Sequence, residues 1–284
     1  MIGELVQTFH MNAMQKLRKL LLLAALTYAS AAAAQYVAVP PIESGLVYSA
    51  KPTIISVKES PRAKAVLVSI PGGHGQLGFR LDSPVPGPNY DPPTSYAKIM
   101  RRLSDPEHST AAFHVVMFDS PYVMPLDTSN RRSPDHIMRI ESVVQYARDR
   151  FKLPVWVMGH SNGGVSIAEF HKQMVKKNKP ELVAGMIMSA PRNVTELETP
   201  ADFPALFISA ERDGCQNTLP DHNRKLAERF KSLNKGVTEF AGVQGGEAQG
   251  DPCHSGVHMY HTAHDEVVKI IDAFATRNLL PQMK

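Results

Sequence analysis

The sequence predicts an α/β fold, a mostly parallel central sheet with helices packed on both faces. After Gln35, short β-branched runs alternate with stretches whose apolar residues recur at helical spacing. Most of the short runs are continuously apolar, as strands covered on both faces must be. A length of 284 residues and a hydrophobic fraction of 43% suit one domain with a substantial core, here residues 35–284. The composition is neither that of a disordered chain nor that of a small disulfide-stapled scaffold.

Residues 1–34 read as an N-terminal extension carrying a secretory signal peptide. From Met14 the chain runs through Lys16, Arg18 and Lys19 into an apolar stretch beginning at Leu20. It closes in an Ala-x-Ala pattern before Gln35. The strongly apolar part is shorter than the roughly 20 residues a spanning helix needs, so cleavage is expected rather than a stable membrane anchor. Residues 1–13 are unlike a basic signal-peptide start, which makes Met14 the candidate initiator. The mature protein is then periplasmic or extracellular.

The expected strands are Thr53–Val57, Ala65–Ile70, His114–Asp119, Val155–Met158, Val183–Met188, Ala205–Ile208 and Val237–Phe240. Helical spacing covers Ser95–Leu103, Pro134–Phe151, Gly164–Lys176, His222–Leu233 and His264–Thr276. Ser133 before Pro134 is a good N-cap followed by proline at the first helical position. Residues 81–93 are too rich in proline for a helix or a central strand, and 241–256 are rich in glycine, so both read as surface loops.

One segment points to chemistry. The strand at Val155 runs into Gly159-His160-Ser161-Asn162-Gly163-Gly164 and then into an amphipathic helix. Glycine is common enough that a bare Gly-x-Ser-x-Gly carries little weight, and the strand-turn-helix setting is what gives it meaning. A serine on so sharp a turn is strained, and side chains two positions either side would collide with backbone. The turn lifts the hydroxyl clear of the sheet, and the following helix directs its positive end at developing negative charge.

On these residues, VWVMGHSNGG at 155–164 resembles the nucleophile elbow of the α/β-hydrolase superfamily. The resemblance implies the α/β-hydrolase fold, a serine hydrolase activity and the chain order serine, acid, histidine. It implies Asp213 as the acid, within SAERDGCQNT after the strand at Ala205, with Glu211 and Glu196 as alternatives. It implies His258 as the base, just before the final helix, with His254 and His261 in reserve. Histidine suits the role because its proton affinity lies near neutrality. A competing reading makes His254 and His258, four apart, metal ligands, but Ser255 stands where a zinc protease carries its glutamate.

The oxyanion hole is expected from the N–H of Asn162 and a second N–H from Pro71-Gly72-Gly73-His74-Gly75, donated by Gly73 or His74. The two cysteines, Cys215 and Cys253, are expected to form a disulfide in an exported chain, tying the acid loop to the histidine loop. RDGC and GDPC followed by a histidine loop also resemble an uncharacterised group of exported α/β-hydrolases. The connection from Met188 to Ala205 is too short for a large lid domain.

The expected function is cleavage of a carboxylic ester-type bond in a small molecule through an acyl-enzyme on Ser161, without metal or organic cofactor. Lactone, thioester or peptide cleavage, acyl transfer, and a silent binding protein on the same fold are the alternatives. Net charge is +4 and the isoelectric point 9.0, but half of that net charge lies in residues 1–34. No dense basic patch follows, which argues against a nucleic-acid partner. N-terminal sequencing of the exported protein should begin at Gln35; a soluble cytoplasmic form retaining Met1 contradicts the export reading.

Overall fold

A computed structural model describes residues 34–42, 51–82, 95–120 and 127–279. Residues 1–33, where a signal peptide is expected, and residues 83–93 of the proline-rich loop lie outside the described residues. All the elements below belong to the compact unit Gln35–Lys284.

The strands are β1 (Gln35–Val39), β2 (Thr53–Lys58), β3 (Ala65–Ile70), β4 (Phe113–Phe118), β5 (Val155–His160), β6 (Gly185–Ser189), β7 (Ala205–Ala210) and β8 (Thr238–Val243). They form one sheet in the order β1-β2-β4-β3-β5-β6-β7-β8. β1 and β2 pair antiparallel, as do β2 and β4, and the other neighbours run parallel. β1 is half-exposed and lies on the sheet edge, so its sequence lacks the continuous apolar run that marks β3, β5 and β7.

The helices are α1 (Ser95–Leu103), α2 (Pro134–Phe151), α3 (Asn162–Lys176), α4 (Pro220–Leu233) and α5 (His264–Leu279). Side chains alternate across each strand. Val66, Val68 and Ile70 of β3 join the apolar layer that holds α2, α3 and α4, whereas Ala65 and Leu67 join the layer that holds α1 and α5. Ser133 caps α2 by accepting from the His136 N–H, as its sequence signature predicts.

Trp156, the chain's single tryptophan, lies between β5 and α5, edge-on to Phe274 at 5.9 Å and Phe113 at 6.1 Å. Its register partner is Gly185, where a Cβ would come within 2.3 Å of the indole. Fully burying a side chain such as Phe170, Phe207 or Phe274 contributes about 2 kcal/mol. An exposed ion pair such as Arg277–Glu239 contributes about 0–1 kcal/mol, so the two apolar layers dominate stability. No helix among the described residues is long and apolar enough to cross a membrane.

The parallel strands bring the loops after β3, β5, β6, β7 and β8 to one edge, the carboxyl ends where open α/β sheets place their sites. The loop after β3 is anchored from β4: the buried Asp119 carboxylate accepts from the N–H of Leu77 at 2.5 Å and of Phe79 at 2.6 Å. Burial outweighs these bonds and pushes the carboxyl up to about 6. The folded chain therefore binds a proton here at pH values where the unfolded carboxyl, near 3.8, has released it. Stability from this group is greatest below the unfolded value and falls as pH rises through about 4 to 6, by about 3 kcal/mol in all. Thermal unfolding of wild type and Asp119→Asn, which cannot titrate there, tests this. The midpoint of wild type relative to the variant should fall between pH 4.5 and 7.5; a constant or widening advantage contradicts it.

Candidate active site

Ser161 joins β5 to α3 with φ 52° and ψ −118°, a conformation that costs a non-glycine residue roughly 1–3 kcal/mol. Surrounding backbone bonds hold it there. The Ser161 N–H donates to the Ser189 carbonyl at 2.8 Å, and the Ser161 carbonyl accepts from Gly164 at 3.0 Å and Arg192 at 3.3 Å. The glycines have the steric role their pattern implies. A Cβ on Gly159 would come within 2.5 Å of the Gly163 carbonyl oxygen, and one on Gly163 within 2.3 Å of that of Ile70.

His258 lies beyond β8 and Asp213 just beyond β7. Nδ1 of His258 stands 2.8 Å from Oδ2 of Asp213, and both side chains are buried. A carboxylate only accepts, so the imidazole carries its proton on Nδ1. Asp213 is fixed further by the Cys215 N–H at 2.9 Å on Oδ1 and the Thr218 hydroxyl at 3.0 Å on Oδ2. Ser161 and His258 line the same cleft. With His258 removed, the buried carboxylate keeps only the Cys215 and Thr218 bonds.

The alternative acids and bases have other partners, although His254 lines both clefts beside Ser161. Glu211 pairs with Arg224, and Glu196 is exposed with its nearest cation, Arg132, at 3.9 Å. His254 is exposed and bound to Asp251 at 3.0 Å. No contact joins His261 to Asp213 among the described residues. No group of three or more His, Cys, Asp or Glu side chains is gathered for a metal ion among the described residues.

Cys215 and Cys253 form a disulfide with Cα atoms 4.7 Å apart, so the acid loop and the histidine loop are covalently joined. Behind the pair lies His160, its ring 4.9 Å from that of His258 and its Nδ1 3.0 Å from the Ser189 hydroxyl. Burial, reinforced by His258, holds its proton affinity well below the usual histidine range, so it forms a neutral wall.

The loop Pro71–Gly75 crosses directly over the nucleophile turn. A Cβ on Gly72 would approach the His160 carbonyl oxygen and the Ser161 Cβ to 2.9 Å each. Gly73 has φ 52°, which suits glycine. Asn162 opens α3, and its amide Nδ2 donates to the Gly73 carbonyl at 3.3 Å. Gly73 and His74, together with Ser161, line both of the clefts that meet at the nucleophile, one of about 300 Å³ and one of about 360 Å³.

Nothing in the sequence marks the residue that secures this loop. Arg131 is fully buried, and its guanidinium donates to three successive carbonyls, Pro71 at 2.8 Å and Gly72 and Gly73 at 3.1 Å each. Burial brings it down to about 10, so it remains charged at neutral pH. No carboxylate pairs with it among the described residues. Bonds from a charged donor are worth about 1.5–3 kcal/mol each, against about 1 for neutral ones, so this clamp outweighs the turn's own bonds. With its carbonyls turned toward Arg131, the loop has its remaining polar groups to offer the cleft.

No protein-family model matches the chain, and no curated protein matches it in sequence. Solved structures do match. A serine hydrolase without a lid from Xanthomonas campestris aligns at TM-score 0.53 and 11% identity, over 86% of this chain and 94% of that one. A thermostable carboxylesterase cloned from a metagenomic library aligns at TM-score 0.53 and 18% identity, over 93% and 97%. A hyperthermophilic esterase from the archaeon Pyrobaculum calidifontis aligns at TM-score 0.57 and 15% identity, over 93% and 91%. With its strand order, its short β6-to-β7 connection in place of a lid and these neighbours, the chain has the α/β-hydrolase fold.

Proposed function

We propose that the protein is a serine hydrolase that cleaves carboxylic ester-type bonds in small molecules. One observation carries the reading: a strained, cleft-lining Ser161 shares its cleft with a histidine whose Nδ1 is held by a buried aspartate. The structural neighbours include carboxylesterases and a dienelactone hydrolase, which supports hydrolysis at an ester-type bond.

In the proposed reaction Nε2 of His258 takes the Ser161 hydroxyl proton as Oγ bonds to the substrate carbonyl carbon. Asp213 holds the imidazole in the required tautomer and stabilises the imidazolium. The carbonyl oxygen becomes an oxyanion bound by the N–H of Asn162 and that of Gly73 or His74, each worth about 2.7–4 kcal/mol in the transition state. The carbon–oxygen bond to the leaving alcohol breaks, the alkoxide takes the proton from His258, and water cleaves the acyl-enzyme by the same steps. The chemistry needs no metal or organic cofactor. We place the mature protein outside the cytoplasm, a reading supported by the signal-peptide pattern and by the disulfide, which suits an oxidising compartment.

Hydrolysis of p-nitrophenyl acetate and butyrate by wild type, Ser161→Ala and Asp213→Asn tests the proposal. Ser161→Ala should lose roughly 10⁶-fold and Asp213→Asn roughly 10⁴-fold in kcat while keeping the wild-type circular dichroism spectrum. Undiminished turnover by Ser161→Ala would sink it, and chelator-sensitive turnover in that variant would point to the histidine cluster instead.

A further inference from the structure

The two clefts that meet at Ser161 differ in charge, since among the described residues Arg192 and Asp127 line only one of them. The first, of about 300 Å³, passes Leu77, Tyr96, His160, His258 and Met259. The second, of about 360 Å³, passes Asn162, Thr128, Asn217 and Arg192. An ester has two arms, an acyl and an alcohol part, and the nucleophile sits where both clefts can be filled at once.

Arg192 stands out among the cleft residues. Its N–H donates to the Ser161 carbonyl, which sets its backbone directly beside the nucleophile. Its guanidinium makes one bond within the chain, from Nη2 to the Asn217 Oδ1 at a long 3.3 Å. Nε is buried and unpartnered, and no carboxylate lies within ion-pair distance among the described residues. Asn217 is itself placed by the Asn193 side chain, which donates to the Gln216 carbonyl, and by the Asn193 N–H, which donates to the Asn217 carbonyl. The arginine therefore sits on a braced loop.

A guanidinium is a planar fork that matches a carboxylate through two parallel bonds, and Arg192 lines the cleft with one long bond to an amide and no carboxylate partner among the described residues. Arg131 also leaves its Nε unpartnered, but it lines neither cleft and its two Nη groups bond three backbone carbonyls, whereas Arg192 lines the cleft and bonds one amide oxygen. Asp127 lies on the same cleft, but it is exposed to water, and its Oδ1 already accepts from the Ser129 hydroxyl and the Asn130 N–H. Water screens its repulsion more than it screens the attraction of a half-buried guanidinium.

We infer that Arg192 is a specificity residue for an anionic substituent, so that the substrate class is esters bearing a carboxylate a few atoms from the scissile bond. This rests on the hydrolase reading above. One arm of the test places the carboxylate on the acyl part, comparing p-nitrophenyl hemiglutarate with p-nitrophenyl valerate. The other places it on the alcohol part, comparing 4-acetoxybenzoate with phenyl acetate. Wild type, Arg192→Gln and Arg192→Lys are assayed on all four.

In at least one arm wild type should favour the carboxylated ester by about tenfold or more in kcat/KM, the size of a charge-assisted pair. That ratio should fall to about one in Arg192→Gln and be partly kept in Arg192→Lys, which retains charge without the fork. Titration calorimetry with glutarate reads the anion site without turnover and should show at least tenfold weaker binding to Arg192→Gln. The inference is overturned if wild type shows no preference in either arm, if the preference survives Arg192→Gln, or if glutarate binds the two proteins equally. If none of the esters is hydrolysed, the hydrolase reading fails while the glutarate titration still decides the anion site.

Discussion

The site depends on a close crossing of two backbone segments. The turn from β5 into α3 lies against the loop leaving β3, with Gly159 packed on Gly163 and Gly163 packed on the Ile70 carbonyl. Nothing larger than a hydrogen fits at these points, and Gly72 closes the stack above Ser161. The left-handed backbone of Ser161 is tolerated because its N–H and carbonyl are both bonded to neighbouring loops. From that crossing follow the exposure of the hydroxyl, the placement of the α3 N-terminus and the position of the Gly73–His74 segment. The two apolar layers on either side of the sheet supply the stability from which this local strain is drawn.

Fixed charge then organises the surroundings. Asp213 orients His258 from one side of the nucleophile, and Arg131 aligns the Pro71–Gly73 carbonyls from the other. Both are buried, so their fields are weakly screened and their geometry is held by several bonds rather than one. Asp119 continues the pattern by gripping the next stretch of the same loop through Leu77 and Phe79. A loop rich in glycine would be mobile by composition, and two charged groups on separate elements, Arg131 and Asp119, make it rigid. Preorganised donors of this kind are what stabilises an oxyanion without reorganisation at the moment of reaction.

Much of this was legible from local pattern. Short β-branched runs, most of them continuously apolar, marked seven of the strands, and the Ser133-Pro134 signature marked the start of α2. β1 escaped because an edge strand half-open to water has no such run. α3 begins two residues earlier than its periodicity suggests, because Gly163 and Gly164 are poor helix formers retained for their contacts with Ile70 and Pro191. α4 likewise starts at Pro220, where proline suits the first helical position. Chain order singled out Asp213 over Glu211, and the geometry pairs Asp213 with His258 while Glu211 turns to Arg224. Thr218, Arg131 and Arg192 carry no sequence signal, because their roles come from contacts made only when distant loops converge at the sheet edge. The choice between Gly73 and His74 as oxyanion donor was open in the sequence and stays open, since both line the clefts beside Ser161.

The central claim is that one serine of this chain is a nucleophile poised by His258 and Asp213. Peptide mass spectrometry of the folded protein after exposure to a fluorophosphonate tests it most directly. The account requires a single phosphonyl adduct on Ser161, formed much more slowly in Asp213→Asn. An adduct on another residue, or none on folded protein, contradicts it.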